Sequence, residues 1–211
     1  WQWTSLPAMP PQVRNPGPGT VFRMLKSCFI TLGMVACGTF FMGQFALFTY
    51  VRPFLETVTQ VNVSTLSLIL LATGVTGVIG TILIGPALKR SLYGTLAVIP
   101  VLMAVIALGL LPLGASTGAV LVLLGCWGLL ATSAPVGWWS WIARAMPHHA
   151  EAGGGLMVAV IQLSIALGST TGGLLFDAAG YQATFATSAA ILLLAALLAA
   201  MTARSHFRMP A

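Results

Sequence analysis

The sequence predicts an all-α integral membrane protein with six transmembrane helices, and two observations carry this prediction. Hydrophobic residues make up 58% of the 211 residues and charged residues only 6%, whereas a soluble domain carries about 25% charged residues. In water, a surface with so few charges would expose large apolar patches. The few charges also divide the chain into long uncharged runs, and each run has room for the roughly 20 apolar residues that span a membrane.

The charged residues and one turn signal set the bounds of the predicted helices. The uncharged run 91–143 is too long for one helix and is divided at 111–116, where the sequence LPLGAS indicates a turn. Apolar stretches such as 66–71 lack the strict alternation of membrane strands, so their backbone must bond within helices. The predicted helices lie at about 23–51, 64–88, 92–112, 118–144, 150–177 and 182–203.

The segments that flank this six-helix body are predicted from composition and charge. Residues 1–22 are expected to hold the end of a preceding helix and a linker rich in proline and glycine, and 204–211 to form a tail. With six spans, eight of the nine basic residues fall on one side of the membrane, whereas Arg52 and the carboxylates Glu56 and Asp177 fall on the other. The positive-inside rule then predicts that both ends of the chain are cytoplasmic.

Several classes of function are disfavoured by the same pattern. The basic residues form no stripe of the kind that binds nucleic acid. The three cysteines lie inside apolar segments without metal-ligand spacing, and no catalytic motif is present. We therefore expect no enzyme activity, no cofactor and no metal site.

Candidate binding residues are the polar and aromatic side chains at membrane depth. The third and sixth helices are almost purely aliphatic and are predicted to be outer helices, so the pattern inner, inner, outer occurs twice, as in a three-plus-three repeat. Trp127 lies near the midplane and could stack on a flat substrate, with packing as the alternative. Gln162, predicted at a similar depth on a neighbouring inner helix, could pair with Trp127 and bond the edge of the same substrate, or it could bond another helix. Gln44 and Trp138 are weaker candidates, since Trp138 also fits an aromatic belt.

One loop and several longer stretches resemble a known family. The sequence from Gly85 to Ser91, GPALKRS, resembles the cytoplasmic loop motif of major facilitator carriers and makes Gly85, Lys89 and Arg90 candidate gating residues. Lys89 stands where that motif usually has an acidic residue, which puts any salt bridge assigned to that acid in question. The stretches 43–53, 135–142 and 159–163 are similar to the purine ribonucleoside efflux pumps of the drug–proton antiporter group.

This resemblance implies the C-terminal half of a twelve-helix carrier in the bacterial inner membrane, working with an N-terminal six-helix half that is missing here. It implies proton-driven export of purine nucleosides or related small molecules by a protein embedded in the lipid bilayer. No Asp, Glu, His, Lys or Arg lies at mid-membrane depth, so the titrating group is expected in the missing half. The alternatives are export of sugars or drugs on the same fold, a six-helix homodimer, and a membrane scaffold without transport.

Overall fold

The computed structural model describes residues 27–147 and 150–207, and every regular element in this part of the chain is an α-helix. The predicted segment 1–22 lies outside the described residues, as do the first four residues of the predicted helix 23–51 and the end of the predicted tail at 208–211. The helices are α1 (Cys28–Phe48), α2 (Val51–Thr57), α3 (Val63–Arg90), α4 (Leu92–Leu113), α5 (Thr117–Ala145) and α6 (Ala150–Phe207).

Five helical segments of this part of the chain are long and apolar enough to cross a membrane: Cys28–Thr57, Val63–Arg90, Leu92–Leu113, Thr117–Ala145 and Glu151–Ser205. The last of them has 55 residues, about 80 Å of helix, which far exceeds a hydrocarbon core about 30 Å thick. It is interrupted at Gly180, where φ is 76° and ψ is −178°, a conformation that glycine alone adopts readily. We call 150–179 α6a and 181–207 α6b.

The ends of the helices differ from the predicted bounds at three places. The first predicted helix, 23–51, corresponds to α1 and the turn at Thr49 and Tyr50, and the short helix α2 that follows was not predicted. The loop predicted between 177 and 182 is reduced to the break at Gly180. Helix α6 continues to Phe207, so the predicted tail at 204–211 begins as helix.

A single residue, Ser91, separates α3 from α4. Its hydroxyl accepts a hydrogen bond of 3.1 Å from the Gly94 amide, which caps the start of α4. Gly85, Lys89 and Arg90 therefore all lie within the last turns of α3, whereas the sequence analysis placed Lys89 and Arg90 after the helix that ends at 88. Asn62 caps the start of α3 in the same way, because its side-chain oxygen accepts a hydrogen bond of 2.8 Å from the Thr65 amide.

Helix α1 is packed between the two arms of α6. Gly168 and Gly172 of α6a lie so close to the Met42 and Ala46 carbonyls that an added Cβ would overlap them. Because both numbers rise together along the two helices, α1 and α6a run parallel. On a different side of α1, the Ser188 hydroxyl of α6b donates a 2.6 Å hydrogen bond to a carbonyl of α1. Small residues thus allow the backbone approach that membrane helices use for packing.

Helices α3 and α5 form a second close, parallel pair. Gly128 of α5 lies directly against the Thr73 carbonyl of α3. One turn further, the Thr132 hydroxyl donates a 2.5 Å hydrogen bond to the Gly77 carbonyl. Helix α4 packs antiparallel to α5, with Gly109 near Leu123 and the Leu96 side chain beside Gly137 at the other end.

Burial within the chain does not follow the predicted division into inner and outer helices. The most apolar window of α3, predicted to be inner, is 22% buried, whereas that of α4, predicted to be outer, is 44% buried. Helix α4 is covered because it packs on both α5 and α6. The aliphatic composition of a helix therefore did not predict how much of its surface this chain covers.

Candidate functional site

The charged residues divide the bundle into two ends. Lys89 and Arg90 end α3, and Arg144 lies in the last turn of α5. These helices run parallel with Gly77 level with Thr132, so the three cations emerge at the same end, which we call the basic end.

The opposite end of the bundle holds the carboxylates Glu56 and Asp177. Phe176, beside Asp177, stacks on Tyr50 with ring centroids 5.5 Å apart. The Tyr181 hydroxyl donates a hydrogen bond of 3.4 Å to the Leu111 carbonyl, which places the end of α4 at this level. The predicted separation of Lys89, Arg90 and Arg144 from Glu56 and Asp177 is therefore present in the bundle, while the sides of the membrane that the two ends face stay a prediction.

Trp127 lies inside the core of the bundle. Its side chain is 0% exposed, and its indole Nε1 has no hydrogen-bond partner among the described residues. A buried N–H without a partner costs free energy, on the order of 1–3 kcal/mol. Stacking on a substrate would require the ring to be uncovered, so the substrate role of Trp127 stays a prediction.

Trp138 belongs to an aromatic cluster that joins α5 to α1 at the basic end. It packs edge-on against Trp141 with centroids 5.9 Å apart, and Trp141 packs edge-on against Phe29 at the same distance. Trp138 is 2% exposed, whereas Trp139 is 46% exposed. Of these two tryptophans, Trp139 therefore has the exposure expected of an aromatic belt, and the geometry of Trp138 is that of packing.

The two candidate glutamines have opposite surroundings. Gln44 on α1 is 7% exposed, and its Oε1 has no hydrogen-bond partner within 27–147 and 150–207. Gln162 on α6a is exposed. Ser164 contacts α1 beside Gly38, and Gln162, two residues earlier, lies about 200° around the helix and points away from α1.

The candidate binding residues also differ in their depth within the bundle. Measured from the basic end, Gln162 lies 12 residues into α6 and Trp127 lies 18 residues before the end of α5, about 18 and 27 Å at ~1.5 Å per residue. Gln44 lies 16 residues into α1, about 24 Å by the same measure. The structure therefore brings Gln44 and Trp127 to one depth in the core and leaves Gln162 about 9 Å away in depth, although the sequence analysis paired Trp127 with Gln162.

The candidate gating residues lie at the surface of the basic end. Lys89 and Arg90 are exposed, and a Cβ added to Gly85 would meet no atom within 4 Å. A tight contact between α1 and α6a lies instead near the opposite end, where the hydroxyls of Thr49 and Ser169 are 2.9 Å apart. The Tyr50 hydroxyl also bonds the Ser169 carbonyl at 2.9 Å. The sequence analysis missed this contact, because hydroxyl residues near a helix end give no signal of their partners.

Comparisons with known proteins identify the family. The Major Facilitator Superfamily model matches residues 34–208. The chain is 63% identical over 208 residues to the "Transcription regulatory protein OpdE" of Pseudomonas aeruginosa, covering 97% of this chain and 52% of that protein.

Two further relatives carry a transporter's name. The chain is 36% identical over 204 residues to the "Purine ribonucleoside efflux pump NepI" of Salmonella paratyphi B and to that of Salmonella enteritidis, covering 97% of this chain and 51% of each pump. It thus spans about half the length of the curated relatives it matches. The match over most of its length, together with its apolar helical bundle, shows that the chain is a member of the major facilitator superfamily, a family of transporters and not of enzymes.

Proposed function

We propose that this chain forms a six-span half of a secondary transporter that exports small molecules by alternating access. In this proposal the 55-residue apolar segment counts as two spans because of the break at Gly180, so that the six spans are α1, α3, α4, α5, α6a and α6b. The proposal follows from reciprocal packing. The first span of the first three-helix unit, α1, lies against the second span of the second unit, α6a, and α5 lies against α3 in the same way. When two repeats of three helices are related by symmetry, the first helix of each repeat is expected to pack against the second helix of the other.

We further propose that the partner of this half is a second six-helix unit, supplied by the part of the protein that corresponds to the rest of its relatives. The exposed surface of α3 and the exposed face of α6a with Gln162 would then lie toward that unit and the substrate path. By the positive-inside rule, the basic end would lie on the cytoplasmic side of the bacterial inner membrane.

For the substrate, we propose a purine nucleoside exported in exchange for protons. Two relatives are named purine ribonucleoside efflux pumps, and a primary amide can both donate to and accept from a nucleobase edge. Gln162 is the candidate residue that is exposed at membrane depth. Because Trp127 and Gln44 are buried away from it, they would support the site from the core or contact substrate only after a conformational change.

The experiment is inosine flux into proteoliposomes that contain the complete protein, with and without a proton gradient. Gln162→Leu should weaken nucleoside binding by up to about tenfold, the equivalent of one hydrogen bond. Gln182→Leu is the matched control, because Gln182 is exposed at the opposite end next to Gly180. Gradient-independent flux would reject proton coupling. Equal inosine affinity in the parent and Gln162→Leu would reject the site.

A separate measurement distinguishes binding from packing at Trp127. Trp127→Phe keeps a ring in the core, whereas Trp127→Ala leaves a cavity that costs about 3–5 kcal/mol. If Trp127 packs only, Trp127→Phe binds inosine like the parent and Trp127→Ala is recovered in low yield. A tenfold loss of affinity in well-folded Trp127→Phe would instead assign substrate contact to the indole.

A second candidate function is an effect on transcription, because the relative with 63% identity is named a transcription regulatory protein. The exposed cations of the described residues lie at the ends of membrane-spanning helices, not on a solvated recognition helix. We therefore propose that any effect on transcription acts through the concentration of the exported molecule. A transport-inactive variant that is still inserted in the membrane should lose that effect, and its persistence would show a role without transport.

A further inference from the structure

The last turns of α5 meet the first turns of α6a at the basic end, and two glycines of α6a allow this close approach. Ile142 and Met146 lie where a side chain on Gly153 would stand. At the next residue, Gly154, the six-membered ring of Trp139 lies 3.2 Å from the position that a Cβ would take. The outer edge of the Trp139 ring therefore lies against α6a.

Trp139 stays uncovered in spite of this contact. It is 46% exposed, whereas Trp127, which the sequence analysis paired with Gln162, is 0% exposed. A ring needs an uncovered face in order to stack on a ligand. The contact at Gly154 also restricts the ring, so less conformational freedom is lost when a ligand binds. Of these two tryptophans, Trp139 is therefore the one with surface available to a substrate.

The exposed side of α6a continues from this contact to Gln162. Gly155 is exposed, and a Cβ added to it would meet no atom within 4 Å. Gln162, seven residues later, is also exposed, and it lies within about 20° of Gly155 around the helix and about 10 Å further along it. Val158, between them, is 44% exposed. This open face of α6a thus has an aromatic ring near one end and a primary amide at the other.

We propose that Trp139 is a specificity-determining residue of the proposed nucleoside site, where its ring stacks on the base while the Gln162 amide bonds polar groups of the same substrate. This inference rests on the proposed function and on the cytoplasmic position of the basic end. Trp139 lies six residues before the end of α5, about 9 Å from the basic end, so an exported substrate would meet the ring before the amide. Stacking on an indole favours a purine over a pyrimidine because the purine has the larger ring system.

The test is the binding of inosine and of uridine to the complete purified protein, measured by isothermal titration calorimetry. Trp139→Leu keeps an apolar side chain without a ring and should weaken inosine binding by at least about fivefold, with a smaller loss for uridine. Trp139→Phe keeps a ring and should retain most of the affinity. Phe48→Leu is the matched control, because Phe48 is an exposed aromatic residue at the opposite end of the bundle, and it should bind inosine like the parent.

The competing account of Trp139 is an aromatic belt, which predicts a ring that faces lipid. In the complete protein, with Cys28, Cys126 and any other exposed cysteine replaced by Ser, the thiol introduced by Trp139→Cys should react with a water-soluble thiol reagent. Inosine should slow that reaction. A thiol that does not react would assign this position to the lipid, and a reaction that inosine does not slow would separate it from the substrate; either result would overturn the proposal.

The binding data separate this inference from the proposed function. Inosine binding by the parent with equal affinity in folded Trp139→Leu would overturn the role of Trp139 and leave the nucleoside proposal in place. If Trp139→Leu does not fold, Trp139→Met, a longer apolar side chain without a ring, makes the same comparison. An equal or larger loss for uridine would overturn the preference for purines. If the parent binds neither nucleoside, the proposed substrate is rejected, and the role of Trp139 is rejected with it.

Discussion

The close contact between α1 and α6a can be tested by a single methyl group at Gly168. This residue is buried against α1, and a Cβ placed on it would overlap the carbonyl oxygen of Met42 and come within 3.0 Å of the carbonyl carbon. A backbone carbonyl inside a helix cannot rotate away, so Gly168→Ala must push the two helices apart. Gly155→Ala in the same helix is the matched control, because its Cβ would meet nothing within 4 Å.

The expected magnitude comes from the comparison of these two variants. Both gain the helix propensity of alanine over glycine, about 1 kcal/mol, and this gain cancels in the difference. What remains is the cost of overpacking at Gly168, typically about 1–3 kcal/mol. For a chain of about 200 residues, 1 kcal/mol shifts Tm by roughly 2–4 °C. We therefore expect Gly168→Ala to unfold roughly 2–12 °C below Gly155→Ala.

Thermal unfolding of the purified protein in detergent measures this difference directly. Gly155→Ala should be at least as stable as the parent, since it gains propensity without a clash. If Gly168→Ala melts at or above Gly155→Ala, the helices are not in contact at Gly168, and the packing of α1 between the two arms of α6 is wrong. The same melting experiment in lipid nanodiscs shows whether the detergent has loosened the contact.

Three more predictions address the break, a buried hydrogen bond and the orientation. Gly180→Ala should lower the stability by about 1–3 kcal/mol, because alanine is strained at a φ of 76°; an unchanged Tm would contradict the break. Ser188→Ala should cost about 0.5–1.5 kcal/mol in unfolding free energy through loss of its bond to the Gly43 carbonyl, whereas a neutral effect would show that this bond adds nothing. In intact cells, an impermeant thiol reagent should label a cysteine at Glu56 but not one at Arg144, and labelling of both or the reverse pattern would reject the orientation.

The positions of the helices could be predicted closely because the lipid environment restricts the possible structures. The predicted ranges 64–88, 92–112 and 118–144 became α3, α4 and α5, each within two residues at either end. Charged residues and a cluster of turn residues are enough to locate such bounds, since the membrane interior excludes charge from a spanning segment. Helix α2 was missed because a segment of seven residues that includes Pro53 gives too short a pattern.

The partners of individual side chains could not be predicted in the same way. The sequence places Trp127 and Gln162 at membrane depth, but it does not show which side of each helix meets a neighbour. Trp127 is enclosed and Gln162 is uncovered because α5 packs on α3 and α4, while the small residues of α6a turn toward α1. The consequence is that the two side chains do not share one site within this chain.

The sequence by itself therefore determined the class of the protein, the bounds of α3, α4 and α5 and the asymmetry of charge between the two ends. Each of these depends on hydrophobicity and charge along the chain, because the hydrophobicity of a segment and the charges that flank it decide whether and in which direction it crosses the membrane. Only the tertiary structure decided that α1 is enclosed by both arms of α6, and that Trp127 is buried while Gln162 is exposed. Those features depend on which helices touch and in what rotation, and helix rotation is set by contacts between residues that are far apart in the sequence.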